Sequence, residues 1–198
     1  LTGCASSGPS SNAQAANSYA PLNLRFDADR YEFTTPSSMC STVLTAEVVV
    51  GSHGQSFWNS SNGLRPQIAD PKVLTQQGYK IYTPVIFSTL HPLIDHRQQP
   101  QTAFVSMGGQ VGQDQFYIDP FPQVADGKHY LIVFGPTNQP GVGKVAKWLI
   151  IFEAYPIDAQ GMVTLQEAGS PNEPGSGQPQ PEIKLTLTNL KQQLAACH

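Results

Sequence analysis

His129-Tyr130-Leu131-Ile132-Val133-Phe134 and, beyond the turn-forming stretch Gly135-Pro136-Thr137-Asn138-Gln139-Pro140-Gly141-Val142-Gly143, Trp148-Leu149-Ile150-Ile151-Phe152 decide the fold. Both runs are apolar and rich in β-branched and aromatic residues, which suit a pleated surface. The first is apolar enough to be buried on both faces. Asp126-Gly127 marks the turn that leads into it. Joined as a long hairpin, the two runs are expected to form the middle of a sheet.

Working outward from that hairpin, residues 41–50 carry Val43, Thr45, Val48 and Val50 and read as a central strand. Residues 79–88 read as a long strand interrupted by Pro84, which cannot donate to a ladder and so predicts an edge or a bulge. Shorter strands are expected at 102–107, 115–118 and 162–166. Leu22, Leu24 and Phe26, and then Tyr31 and Phe33, alternate with polar residues about a turn at Asp27-Ala28-Asp29. Asn62-Gly63 is a strong turn signal. At the C-terminal end, Leu187, Leu190 and Leu194 have helical spacing, with Thr186 or Thr188 as cap, and predict a short helix to Ala196. About nine or ten short strands and one terminal helix indicate an all-β chain, an antiparallel β-sandwich immunoglobulin-like in general form with a short C-terminal helix. An open barrel is the alternative. The sandwich is expected over residues 19–168, a Pro/Gly-rich linker over 169–181, and a strand or helix packed on the domain over 182–198.

Composition narrows the function. Charged residues are only 13% of the chain, and the formal charge is −3 with no cluster of Lys and Arg, which argues against nucleic acid as a partner. No apolar run approaches the roughly 20 residues of a membrane span. The chain contains three cysteines, Cys4, Cys40 and Cys197. Leu1-Thr2-Gly3-Cys4 resembles the lipobox of bacterial lipoproteins, in which a leucine and two small residues precede a cysteine. The resemblance covers these four residues alone and implies that Cys4 carries lipid and anchors the protein to a membrane. Residues 5–18 are small and polar throughout and are expected to act as a flexible tether holding a domain about 20 Å from its anchor on average, or as an arm that orders on a neighbour. If Cys4 is lipidated, Cys40 and Cys197 remain as a disulfide pair in an oxidising compartment. A buried thiol at Cys40 with an unpaired Cys197, or a bridge from Cys4 to Cys197, are the alternatives. The resulting localisation is extracytoplasmic, at a bacterial cell surface or in the periplasm.

Candidate sites are few. Phe57 and Trp58 lie in the polar loop 51–66 and, if exposed, would make a platform for a sugar ring or a partner peptide; if buried, Trp58 plugs one end of the fold. His91, Asp95, His96 and Arg97 form the densest ionisable group, but His91 and His96 do not have a recognisable metal-ligand spacing, and an ion pair from Asp95 is the simpler expectation. The glycines of 108–112 lack the Lys-Ser/Thr ending of a phosphate loop and read as a turn. No serine-hydrolase elbow, zinc-protease helix or nucleotide fingerprint is present, although Cys40 with a histidine brought near in space would be a nucleophile of last resort. No catalytic residue, metal or cofactor is therefore expected. The function expected is a lipid-anchored, non-catalytic binding or accessory subunit of a cell-envelope complex, with a protein partner or a glycan as ligand. The alternative is a structural subunit of a layer or filament that uses an ordered N-terminal arm.

Overall fold

The computed structural model describes residues 19–27, 35–98, 103–119, 122–136, 148–166 and 182–197. Cys4, the segment 5–18, the expected strand at Tyr31 and Phe33, most of the loop 135–143 and the linker 169–181 lie outside the described residues.

The expected hairpin is present. Strand β8 (His129–Pro136) pairs antiparallel with β9 (Leu149–Pro156), and Tyr130 to Phe134 are all buried, so β8 is covered on both faces. On its other side β8 pairs with β2 (Leu44–His53), and β2 pairs with the fifteen-residue β4 (Ile81–Asp95). Strand β4 in turn pairs with β5 (Phe104–Met107), whose other neighbour is β9, in parallel. The five strands thus close on themselves in the order β2, β4, β5, β9, β8 and back to β2.

The immunoglobulin-like sandwich expected from sequence is corrected accordingly: the mostly β chain builds a closed five-stranded barrel with smaller open sheets around it. Counted within the barrel, the order is 1-2-3-5-4, and such an order assigns no ligand by itself. Closure needs strong local bending, and β2 supplies it through irregular register against β4 at Thr45/Ala46, Val49/Val50 and Val50/Ser52. Gly51 lies in that kinked region, where a β-carbon would sit 3.1 Å from the Ile86 carbonyl oxygen and 3.2 Å from the Ser88 amide. Pro84 falls between the segment of β4 paired to β3 (Phe57–Trp58) and the segment paired to β2, a gap in that ladder where no amide donor is required.

Alternation places Leu44, Ala46, Val48 and Val50 of β2, Tyr130, Ile132 and Phe134 of β8, and Leu149 and Ile151 of β9 inside the barrel. Phe87, Phe104 and Phe134 meet there from three strands, with ring centroids 4.9 to 5.8 Å apart and edge-to-face or tilted contacts. The opposite faces of β8 and β9, through Leu131, Val133 and Tyr155, pack under β10 (Met162–Gln166), β11 (Glu182–Thr186) and helix α3 (Leu187–Ala195). Helix α3 starts where Thr186 accepts a hydrogen bond from the Asn189 amide, and it buries Leu190 and Leu194 as its spacing predicted. Burial of each leucine contributes on the order of 1.5–3 kcal/mol.

Cys197, just beyond α3, is disulfide-bonded to Cys40 at the end of α1 (Pro36–Met39). A third layer is the small sheet β1-β7-β6, formed by β1 (Asn23–Asp27), β7 (Asp114–Asp119) and β6 (Gly109–Val111), which packs with helix α2 (Pro71–Gln76) around Trp58 and Phe116. The glycine stretch expected as a plain turn is therefore partly strand, and the turn itself is confined to Gly112-Gln113.

Candidate functional site

One corner of the molecule gathers polar chemistry around a cavity. It lies where the first described residues, the loop after β3 and the β6–β7 turn converge. The loop is fixed from below by Asn59, which is fully buried, donates to the Gly78 carbonyl at 2.9 Å and accepts from the Lys80 amide at 2.9 Å. Asn62-Gly63 turns the chain as its sequence signals, with Gly63 at φ +77°, a conformation that costs glycine little. The Asn62 side-chain oxygen accepts from Ser60 Oγ at 2.9 Å and from the Leu64 amide at 3.0 Å, and this Asx geometry delivers the next residue, Arg65, inward.

Arg65 is the centre of the corner. Its side chain retains only 3% of its exposure, and its Nη1 donates both to the Ala20 carbonyl at 2.8 Å and to Asp114 Oδ1 at 3.1 Å. The same Oδ1 accepts the Leu22 amide at 3.0 Å, and the Leu22 carbonyl accepts the Gln115 amide at 2.7 Å. The Tyr19 ring covers the guanidinium, 5.2 Å from Cζ to centroid, as a cation–π contact. A buried ion pair thus holds residues 19–22 against the start of β7. Arg65 Nε is buried and has no hydrogen-bond partner among the described residues. Because buried donors are almost always paired, this orphan marks the site as unusual.

Beside the pair opens a cavity of about 660 Å³, lined by Tyr19, Pro21, Ser60 to Asn62, Leu64 to Gln67, Tyr79 and Val111 to Asp114. This is within the size range of small-ligand sites, roughly 300–1,000 Å³. Burial pushes the ammonium of the neighbouring Lys80 below its ordinary value.

The residues singled out from sequence lie elsewhere or in other roles. Trp58 has no exposed surface and pairs through its backbone with Ile81, while half-buried Phe57 packs edge-on against Trp148 at 5.4 Å. Of the two readings of Phe57 and Trp58, the structure has the buried one: Trp58 is a core plug whose indole completes the cluster formed by Leu22, Leu74, Ile81 and Phe116, and it offers no exposed platform. Cys40 and Cys197 are brought together, with Cα atoms 5.4 Å apart across 157 residues of chain. Asp95 pairs with Arg97 as expected, at 2.7 Å to Nε and 2.5 Å to Nη2, and the hydrogen-bonded guanidinium holds its carboxyl below the usual range. The segment from His91 to Asp95 is strand, however, and His96 turns its Nδ1 to the Thr42 carbonyl at 3.0 Å.

Sequence reasoning did not find Arg65, Asp114 or Tyr19. Arg65 and Asp114 are 49 residues apart in the chain, Tyr19 lies far upstream of both, and no spacing rule links them.

Elsewhere, Glu47 on the outer face of β2 meets His129 Nε2 at 2.9 Å and Lys191 Nζ of α3 at 2.6 Å. Burial pushes its carboxyl up, but the hydrogen bond and charge of Lys191, with those of His129, outweigh this and hold it below its ordinary value. Tyr82, wholly buried with its hydroxyl unpartnered among the described residues, is pushed up to about 12 by desolvation.

Comparison of the chain with protein-family models, with curated proteins and with solved structures finds no match in any of the three.

Proposed function

We propose that this chain is an exported binding module, tethered to a membrane through lipid on Cys4 and serving as a non-catalytic accessory subunit in a cell envelope. The observation that carries the proposal is the Cys40–Cys197 disulfide. Disulfides persist in extracytoplasmic, oxidising compartments. With two of the three cysteines joined, Cys4 is the odd one, and it follows the Leu1-Thr2-Gly3 of a lipobox-like sequence. No helix among the described residues is long and apolar enough to cross a membrane, so attachment through Cys4 would not duplicate one. The disulfide also engages Cys40, the thiol that sequence left as a nucleophile, which supports a non-catalytic role. The cavity beside Arg65 is the feature best suited to binding.

The test is expression of the full chain behind a lipoprotein leader in a bacterium fed an alkyne-tagged fatty acid. The wild type is expected to take up the tag and partition into the detergent phase, and Cys4→Ser to lose both properties. An untagged wild type that stays in the aqueous phase would overturn the reading.

A further inference from the structure

We infer that the cavity at Arg65 and Asp114 is a binding site for a neutral saccharide. The inference rests on the binding-module reading and is independent of the anchor. Its starting point is what the buried pair leaves unused. Both hydrogen bonds to Asp114 fall on Oδ1, so among the described residues Oδ2 remains an acceptor, while the side-chain amides of Asn62, Gln67 and Gln113 bring donors to the same cavity.

A ligand for this corner must therefore both give and take hydrogen bonds. An anion would meet the Asp114 carboxylate, and a cation would meet the Arg65 guanidinium, each at close range in a partly desolvated place. A hydroxyl group donates to Asp114 Oδ2 and accepts from an amide of the lining, and a sugar presents several.

The rest of the lining agrees. Gln67 and Gln113 make no hydrogen bond among the described residues, and both are exposed to the cavity mouth with an amide that can donate and accept. Asn62 commits its oxygen to the loop and keeps its amide nitrogen available. Tyr79, Pro21 and Pro66 add flat apolar surfaces of the kind against which the C–H face of a pyranose packs. Apart from the internally matched Arg65–Asp114 pair, no charged side chain among the described residues lines the cavity, which selects against uronic and sialic acids.

The corner is also built before any ligand arrives. Arg65 is held by the Ala20 carbonyl and Asp114, and the loop that delivers it is fixed by Asn59 and Asn62, so little ordering is left for binding to accomplish.

The experiment titrates the full chain with maltotriose, cellotriose and triacetylchitotriose, and with trigalacturonate as the anionic counterpart, read by saturation-transfer NMR. At least one neutral trisaccharide is expected to bind saturably. The double variant Gln67→Ala/Gln113→Ala changes two exposed residues and should fold normally by circular dichroism. Loss of two hydrogen-bonding amides should weaken that binding about tenfold. No saturable binding of any neutral trisaccharide, binding unchanged in the double variant, or binding of trigalacturonate alone would each overturn the inference. Acylation of Cys4 is read separately by intact mass. An acylated chain blind to sugars sinks the saccharide site and spares the anchor; a sugar-binding chain without lipid does the reverse.

Discussion

The two terminal segments are fastened to the same barrel by different means. At one end, residues 19–27 are held without a covalent bond, by the buried Arg65–Asp114 pair, by the Leu22 amide bonded to the Asp114 side chain and the Leu22 carbonyl bonded to the Gln115 amide, and by a parallel strand pairing. At the other, β11 and α3 are clasped by the Cys40–Cys197 bond, by the apolar faces of Leu190 and Leu194 and by the Lys191–Glu47 pair. The first fastening sets a desolvated ion pair among strand pairing and the burial of Leu22 against Trp58, and the pair is costly to break by removing one partner alone. The second is redundant, since covalent, apolar and ionic contributions act on one helix.

The largest effect is expected at the buried ion pair, where removing one partner leaves the other charge unmatched. Arg65→Ala leaves the Asp114 carboxylate buried without its cation and the Ala20 carbonyl without its donor, and should destabilise the corner by about 3–5 kcal/mol. Hydrogen exchange should show the amides of Leu22 and Gln115 losing protection while Val133 in β8 keeps its own. The paired replacement Arg65→Met/Asp114→Leu should recover most of the loss, because an apolar pair needs no desolvation. Equal loss in the single and double variants would mean that packing, not charge, holds this end.

At the redundant end, reducing Cys40–Cys197 or replacing both with Ser should cost about 2–4 kcal/mol in denaturant unfolding. Exchange should rise in α3 and leave Leu22 unchanged. If α3 detaches fully on reduction, the apolar face contributes less than its burial suggests.

The smallest effect belongs to Lys191→Ala. Lys191 retains 44% of its side-chain exposure, so solvent and salt screen its pair with Glu47, and about 0.2–1 kcal/mol is expected. The sign with pH follows from the lowered carboxyl of Glu47. A carboxyl more acidic in the folded state stabilises fully above the unfolded value, about 4.3, and that stabilisation fades as pH falls through the folded one. The difference between wild type and Lys191→Ala should thus be present near neutrality and vanish in acid. A difference that persists in acid would assign the effect to the aliphatic stem of Lys191 rather than its charge.

The same contrast explains what the sequence revealed. Unbroken apolar runs marked β8 and β9, and Leu187, Leu190 and Leu194 marked α3, because each buries a face whose period can be counted. Barrel closure was hidden because β4 continues through His91 and Pro92, largely exposed residues that pair by backbone and carry little apolar pattern. Trp58 was ambiguous for the same reason: polar neighbours suggest a surface loop, and only the packing of α2 and the small sheet around it makes a core. The Cys40–Cys197 bond was within reach of simple counting once Cys4 was set aside. Arg65 and Asp114 were not, since a buried ion pair between a loop and a hairpin leaves no periodic trace in either segment.

The span of 157 residues between Cys40 and Cys197 encloses every strand of the barrel in a covalent ring. Mechanically, the residues from Cys40 to Cys197 form a closed loop, and those before Cys40 lie outside it. A pull on residue 19 would extract residues 19–22 from the Arg65 corner, then peel β1 from β7, and reach the covalent ring at Cys40. Force along the backbone would then pass from Cys40 to the end of α3 through the sulfur atoms as well as through the barrel. Load applied to that end would thus strain the cavity first and the barrel last, and such load and occupancy of the cavity would oppose each other.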